Sequence, residues 1–263
     1  MTDAPDRVSG ILLGLAAGDR NGGPTELALR LAESLTTQQG FSPDDVSARY
    51  RQWWRVEGFD TGPVADAVFA LVDDGMSHAD AAAEVHRARG GLTAGSNTAH
   101  RCPPLAMCAT LTDDDLPAVA VREAALTHFH PLAGETSAAV VVLIRALVQG
   151  ASLSGAIDRA AVGRCAHIED ALHDALPLSR GGFAPEVLGT ALHFLRRHDG
   201  ADLDAALQAA LDHAGPANFA PVLVGAIGGA RWGAAVIGGA HRRHVADWRR
   251  LERAAAALAA GWY

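Results

Sequence analysis

A few short stretches of this 263-residue chain carry carboxylates, histidines, glycines or an aromatic residue in patterns that could serve chemistry. The first stretch, GDRNGGPTE, places Asp19 and Glu26 near one turn. Paired carboxylates can act as a general acid and a base, and the glycines beside them would let backbone amides approach a ligand. The same residues could instead end one helix and begin the next, and spacing alone favours that interpretation. Asp19 and Glu26 are the candidate catalytic residues of this stretch.

A second stretch, GSNTAHRCPPLA at residues 95–106, forms a loop rich in hydrogen-bond donors. Its backbone amides and one guanidinium could hold a diphosphate, although a polar helix cap would have the same composition. The candidate ligand-binding residues here are Gly95, Ser96, Asn97, Thr98, His100 and Arg101.

Two further stretches precede predicted helices. THFHP contains His128 and His130, which point in different directions in an extended loop, so a shared metal ion is not expected. GGFAPE contains Gly182 and Phe183, and the phenyl ring could lie flat against a base or ribose. A hydrophobic staple at a helix start is the simpler interpretation of Phe183.

Helices must position these stretches, because apolar residues recur at helical spacing through most of the chain and strand-like alternation is nearly absent. One stripe consists of Leu27, Leu31 and Leu35, and Pro185 suits the first turn of another helix. Similar periodicity predicts helices at residues 44–56, 64–72, 79–89, 132–148, 203–213, 221–237 and 244–260. We predict an all-α fold, a compact orthogonal helical bundle in which a single domain spans residues 1–263.

The net charge of -8 argues against a nucleic-acid or anionic-membrane partner, since such proteins recruit phosphates with a positive field. All 22 basic residues are arginine, which excludes a lysine Schiff base and a P-loop lysine. The chain also has no GxSxG, HExxH or Rossmann glycine motif. These features exclude several common enzyme classes.

The cysteines and the N-terminus predict a cytoplasmic location. Cys102, Cys108 and Cys165 have no metal-site spacing, and their odd number is typical of free thiols in a reducing compartment. The first residues include Asp3 and Asp6 and have no basic-then-apolar leader. The sequence does not predict an oligomeric state.

Taken in order, these stretches resemble the ADP-ribosylglycohydrolase family, which includes dinitrogenase reductase-activating glycohydrolases and removes ADP-ribose from modified side chains or related acceptors. GILLGLAAGDRNGGPTE is similar to the family's opening GxxxGxAxGDxxGxPxE, and GSNTAHRCPPL resembles its Asn-Gly-rich stretch. THFHPLA resembles the family's Thr-His-x-His-Pro, and GGFAPEVLGTAL resembles the block that borders the adenine end of the ligand. The resemblance covers most of the chain and implies a helical fold with an ADP-ribose cleft.

The two acidic motifs that hold the family's pair of magnesium ions have no counterpart in this sequence. GPANFAPVLVGAIGGARWG lines up with the family's Gly-Asp-Ala-Asp-Thr helix start, with Pro216 and Asn218 at the aspartate positions and Phe219 at the threonine. Near the other end, Pro24 stands where part of the Thr-Asp-Asp-Thr motif would fall. Two hard cations need several carboxylate oxygens. We therefore expect a degenerate metal centre and no metal cofactor.

These expectations favour a family member that binds an ADP-ribose-like small molecule, a nucleotide or an ADP-ribosylated substrate without metal-dependent hydrolysis. One alternative is a metal-independent hydrolase of an N- or O-glycosidic bond to ribose. Its acid and carboxylate would come from Asp19, Glu26, His100 and His130. A second alternative is a structural or partner-binding relative of an active enzyme.

Overall fold

Helices carry almost all of the regular structure in the computed structural model, which describes residues 3–200 and 202–262. Within those ranges a single isolated bridge joins Gly95 and Phe183. Sixteen α-helices and a closing 3-10 helix are described: α1 Ala4–Gly18, α2 Gly23–Gln38, α3 Pro43–Val56, α4 Pro63–Asp73, α5 His78–Ala88, α6 Asn97–Arg101, α7 Pro104–Met107, α8 Leu116–Ala124, α9 Pro131–Val148, α10 Leu153–Ala161, α11 Ala166–Leu172, α12 Ala184–Arg197, α13 Leu203–Ala214, α14 Phe219–Trp232, α15 Gly239–Arg242, α16 Trp248–Ala259 and the 3-10 helix Ala260–Trp262. The predicted all-α fold is confirmed.

Side-chain caps and glycines set where the helices begin and end. At the start of α10, Ser152 Oγ accepts from the Gly155 amide at 3.1 Å. The predicted helix at 221–237 is wrong at its C-terminal end, because Gly233 adopts a φ of 90° and ends α14 at Trp232. The helix predicted at 244–260 is observed to begin four residues later, because a side-chain cap sets its start. Its N-cap is Asp247, so α16 starts only at Trp248.

The central packing of the fold is a backbone-to-backbone contact between α1 and α14. A Cβ atom built on Gly14 would lie 2.1 Å from the Gly225 carbonyl oxygen, and one built on Gly10 would lie 2.2 Å from that of Gly229. Gly18 meets the Pro221 carbonyl in the same way. Gly18, one of the glycines predicted to be near a ligand, therefore serves close helix packing first.

The long helix α9 runs through the middle of the core. It is apolar and long enough by composition to cross a bilayer, yet 78% of it is buried inside the fold. Such burial is typical of a core helix in a folded domain. A smaller apolar cluster packs α4 against α5 beside this main core. Together these contacts fix the loops that surround the site.

Candidate functional site

A groove made of three adjoining cavities crosses the surface near the N-termini of α6, α12 and α14. The inner cavity, about 240 Å³, is lined by Asn21, Pro24, Asp60, Gly62, Ser96, Asn97, His100 and residues 216–219. The middle cavity, about 250 Å³, includes Arg89, His128, Gly182 and Phe219, and the outer cavity, about 290 Å³, includes Leu92, His130 and Phe183. Neighbouring cavities share lining residues, so they adjoin one another along the groove.

Backbone hydrogen bonds join two of the predicted stretches along this groove. The Ser96 amide donates to the Gly182 carbonyl at 2.9 Å, and the Ala184 amide donates to the Ala94 carbonyl at the same distance. The bridge between Gly95 and Phe183 lies between them. Stretches some ninety residues apart are thus brought together, and Gly95, Ser96, Gly182 and Phe183 all line the groove.

Asn97, the first residue of α6, lines the groove and its side chain is held from two sides. Its Nδ2 donates to the Thr61 carbonyl at 3.0 Å, and its Oδ1 accepts from Arg101 Nη1 at 2.8 Å. Thr98, one residue later, turns inward and donates from Oγ1 to the Ala133 carbonyl at 3.1 Å. Thr98 was a predicted ligand-binding residue, but the structure assigns its hydroxyl to the core.

Arg101 is a correction to the predicted ligand-binding set, because its side chain is fully buried and lines none of the three cavities. Its Nε donates to Glu123 Oε1 at 2.6 Å, and the Tyr50 hydroxyl donates to the same oxygen at 2.8 Å. The guanidinium also lies 5.0 Å from the centre of the Tyr50 ring. Desolvation is offset by the ion pair, so this buried network fixes Asn97 instead of binding a phosphate.

The three candidate histidines lie at three different cavities. His100 lies under the inner cavity, where its ring stacks on Phe219 at 6.4 Å and its buried Nε2 has no partner among the described residues. His128 lines the middle cavity and shares a hydrogen bond with Thr127 Oγ1 at 2.8 Å. His130 caps α9 by accepting from the Leu132 amide at 3.2 Å, and it faces the outer cavity.

Two of these histidines make stability depend on pH. Burial lowers the pKa of His100 to about 4 and that of His128 to about 3, whereas both are about 6.5 in an unfolded chain. Below pH 6.5 the unfolded state therefore binds more protons, so this stabilisation is complete above pH 6.5 and is lost as the pH falls towards 4. We expect the free energy of unfolding to fall by about 1.4 kcal/mol per pH unit for each histidine.

Urea denaturation at pH 7, 6 and 5 measures this slope. His128→Asn keeps a polar group beside Thr127 but cannot take up a proton, so the variant should lose the His128 part of the slope. An equally steep pH dependence in the variant would show that His128 is not the group responsible.

Asp19 lies beneath the loop between α1 and α2, and its carboxylate is saturated by the protein itself. Oδ1 accepts from the amides of Asn21 at 3.1 Å and Gly22 at 2.9 Å, and from Asn218 Nδ2 at 2.5 Å. Oδ2 accepts from the Thr25 amide at 2.8 Å and the Thr25 hydroxyl at 2.7 Å. A carboxylate offers about four lone-pair sites, so none of them is left for another ligand. The loop amides predicted to approach a ligand bind Asp19 instead.

Asn218 completes this arrangement from the other end of the chain. Its Nδ2 donates to Asp19, and its Oδ1 accepts from the Arg20 amide at 2.9 Å. Both ends of the amide are therefore used within the protein. Pro216 beside it is exposed, and Phe219 presents a ring.

The side chains at this point offer few oxygen atoms for the magnesium pair that the resemblance implies. Asp60 is the carboxylate that lines the inner cavity, and burial together with the charge of Asp19 raises its pKa. Asp19 has no free oxygen lone pair and Asn218 is uncharged. Within residues 3–200 and 202–262, no group of three or more His, Cys, Asp or Glu side chains is arranged to hold a metal ion.

Glu26, the other candidate catalytic carboxylate, lies outside the groove. It lines a separate cavity of about 150 Å³ with Asp19, on the side of α16. Its Oε2 is 3.1 Å from Arg30 Nη2, and burial raises the pKa of its carboxyl. Asp60 is the residue that sequence reasoning missed. The signal available in the sequence was the FDTG stretch, which is typical of a turn. In the structure Asp60 lies in this turn with a positive φ of 50°.

Comparisons with known proteins agree on one relationship. A family model described as ADP-ribosylglycohydrolase matches residues 24–263, so most of the opening glycine-rich block lies before the matched range. A solved structure described as an ADP-ribosylglycohydrolase-related protein complex is similar to this chain with a TM-score of 0.79 and 24% identity, covering 100% of both chains. At that identity the similarity concerns the fold. The search of curated proteins found no match.

Proposed function

Because this chain belongs to the ADP-ribosylglycohydrolase family, we propose that it binds an ADP-ribose-like or nucleoside diphosphate ligand in the groove without the family's metal-dependent hydrolysis. One observation carries the proposal: the lone pairs of the Asp19 carboxylate are all occupied by protein hydrogen bonds, including one from the Asn218 amide. A divalent cation would have to displace those donors. The groove itself remains open beside them.

The chemistry of the three cavities supports a ligand with a planar end and a polar end. The outer cavity offers the apolar and aromatic faces of Leu92, His130 and Phe183, which suit a base. The inner cavity contains the polar side chain of Asp60, whereas both ends of the Asn97 amide are already hydrogen bonded within the protein. A small number of polar groups in a largely apolar cleft is typical of small-molecule sites.

Calorimetric titration with ADP and with ADP-ribose tests the proposal directly. We expect binding on the order of 10–100 μM, about -6 kcal/mol, with no release of ribose products in the presence of Mg²⁺. Phe183→Ala should weaken binding about tenfold because a stacking face is lost. Phe129→Ala is the matched control, since Phe129 is an exposed ring near the same rim that lines none of the three cavities.

Two results would contradict the proposal. The first is the absence of any heat at millimolar ligand. The second is sustained Mg²⁺-dependent turnover of an ADP-ribosylated substrate, which would show that a metal centre can assemble despite the geometry of Asp19.

A metal-independent hydrolase is the second candidate function, and one observation favours it. Asp60, with its raised pKa, and the neutral His100 line the same inner cavity. Of the four residues first considered, His100 remains and Asp60 joins it, because Glu26 lines a different cavity, His130 lies at the outer one and Asp19 is saturated by hydrogen bonds. Turnover in excess chelator that is abolished by Asp60→Asn would favour this function over simple binding.

A further inference from the structure

We infer that Phe219 determines ligand specificity by separating the inner cavity from the rest of the groove, so that the protein recognises a nucleoside diphosphate and gains nothing from a further ribose. This inference rests on the proposed function, because it concerns the same groove. The groove recognises the base, the nucleoside sugar and the phosphates of the ligand, which bind in the outer and middle cavities.

The position of the Phe219 ring carries the inference. The ring stacks on His100 of the inner cavity, with 6.4 Å between ring centres and an angle of 22° between planes. Two atoms of the same ring would lie 3.1 Å from a Cβ built on Gly182, which lines the middle cavity. Phe219 lines both cavities and forms their common wall.

The boundary between the inner and middle cavities, here called the neck, is also lined by residues outside α14. Gly62 and Asn97 line both cavities there, and a Cβ on Gly62 would lie 3.7 Å from Asn97 Nδ2. The Asn97 side chain is tied to the Thr61 carbonyl and to Arg101. Because that arginine is locked in a buried ion pair with Glu123, the neck cannot widen by a simple rotation of Asn97.

The backbone that carries the ring is also anchored. Phe219 is the first residue of α14, and the preceding Asn218 is hydrogen bonded to Asp19 and to the Arg20 amide. A phenyl ring has no donor or acceptor for a ribose hydroxyl, and burying a hydroxyl against it without a partner is unfavourable. A ligand long enough to reach the inner cavity would therefore meet an apolar wall at the neck.

The test compares the affinities of ADP and ADP-ribose for the wild-type protein, Phe219→Ala and Phe41→Ala. For the wild type we expect the two dissociation constants to agree within about twofold, because the terminal ribose finds no site. Phe219→Ala joins the two cavities, so the ratio of the ADP dissociation constant to that of ADP-ribose should rise about tenfold. Phe41→Ala removes another partly buried ring of the main core and should leave the ratio at the wild-type value.

The possible outcomes distinguish a failure of the role of Phe219 from a failure of the proposed function. A wild-type preference of tenfold or more for ADP-ribose overturns the role of Phe219, and so does an unchanged ratio in a folded Phe219→Ala or Phe219→Leu variant. If the wild type binds neither ligand but Phe219→Ala binds ADP-ribose, the ring is the barrier and the proposed function fails. If no variant binds either ligand, both inferences are wrong.

Discussion

Replacing Asn218 with aspartate is expected to destabilise the protein by about 2–4 kcal/mol at pH 7 and to make its stability depend on divalent cations. The substitution removes the donor that lies 2.5 Å from Asp19 Oδ1 and puts a second carboxylate in its place. Two carboxylates at that distance cannot both ionise without a counter-charge. With Asp60 close by, a divalent cation would supply that charge and restore stability.

Thermal and urea unfolding in chelator, and then in millimolar Mg²⁺ or Ca²⁺, measure this effect. Asn218→Ala is the matched control, because it loses the same donor without adding a charge and should respond to neither cation. The variant Asn218→Asp should also become more stable as the pH falls, since a protonated carboxyl can donate to Asp19. That trend is opposite to the histidine-driven trend of the wild type. Stability that matches the wild type in chelator would mean that the hydrogen bond from the Asn218 amide does not stabilise Asp19.

The fold was largely predictable because helical periodicity and caps are local properties of the sequence. Pro43 and Pro131 stand in the first turns of α3 and α9, and both helices end where they were predicted to end. The errors came where one residue's backbone decided the outcome, as with the left-handed Gly233 after α14. Periodicity does not report such a conformation, so the end of α14 was placed five residues too late.

The site was predictable as a set of stretches but not side chain by side chain. The glycines at 95 and 182 can be recognised as loop residues, and they do line the groove. The five-residue helix α6 is too short for its pattern to show which face is buried, so Arg101 was predicted to bind a ligand. The saturation of Asp19 depends on Asn218, almost two hundred residues away, and only a structure can reveal that hydrogen bond.

Gly14→Ala is expected to destabilise the protein by at least about 3 kcal/mol, which is a large part of the stability of a typical domain. The new Cβ would lie 2.1 Å from the Gly225 carbonyl oxygen. Its nearest neighbours are backbone atoms of α14, so no side chain can rotate away to relieve the clash. The helices α1 and α14 must then separate, and the contact that aligns their ends near the groove is lost. Because Asp19 follows α1 and Asn218 precedes α14, their hydrogen bond should weaken as well.

Gly40→Ala is the matched control, because a Cβ at Gly40 meets nothing within 4 Å and its φ is not in the left-handed region. Its unfolding midpoint in urea should stay close to that of the wild type. If Gly14→Ala unfolds at the same urea concentration as Gly40→Ala, the two helices can separate without loss of stability. The backbone contact would then not be what brings Asp19 and Asn218 together, and the alignment would have to come from the polar loop itself.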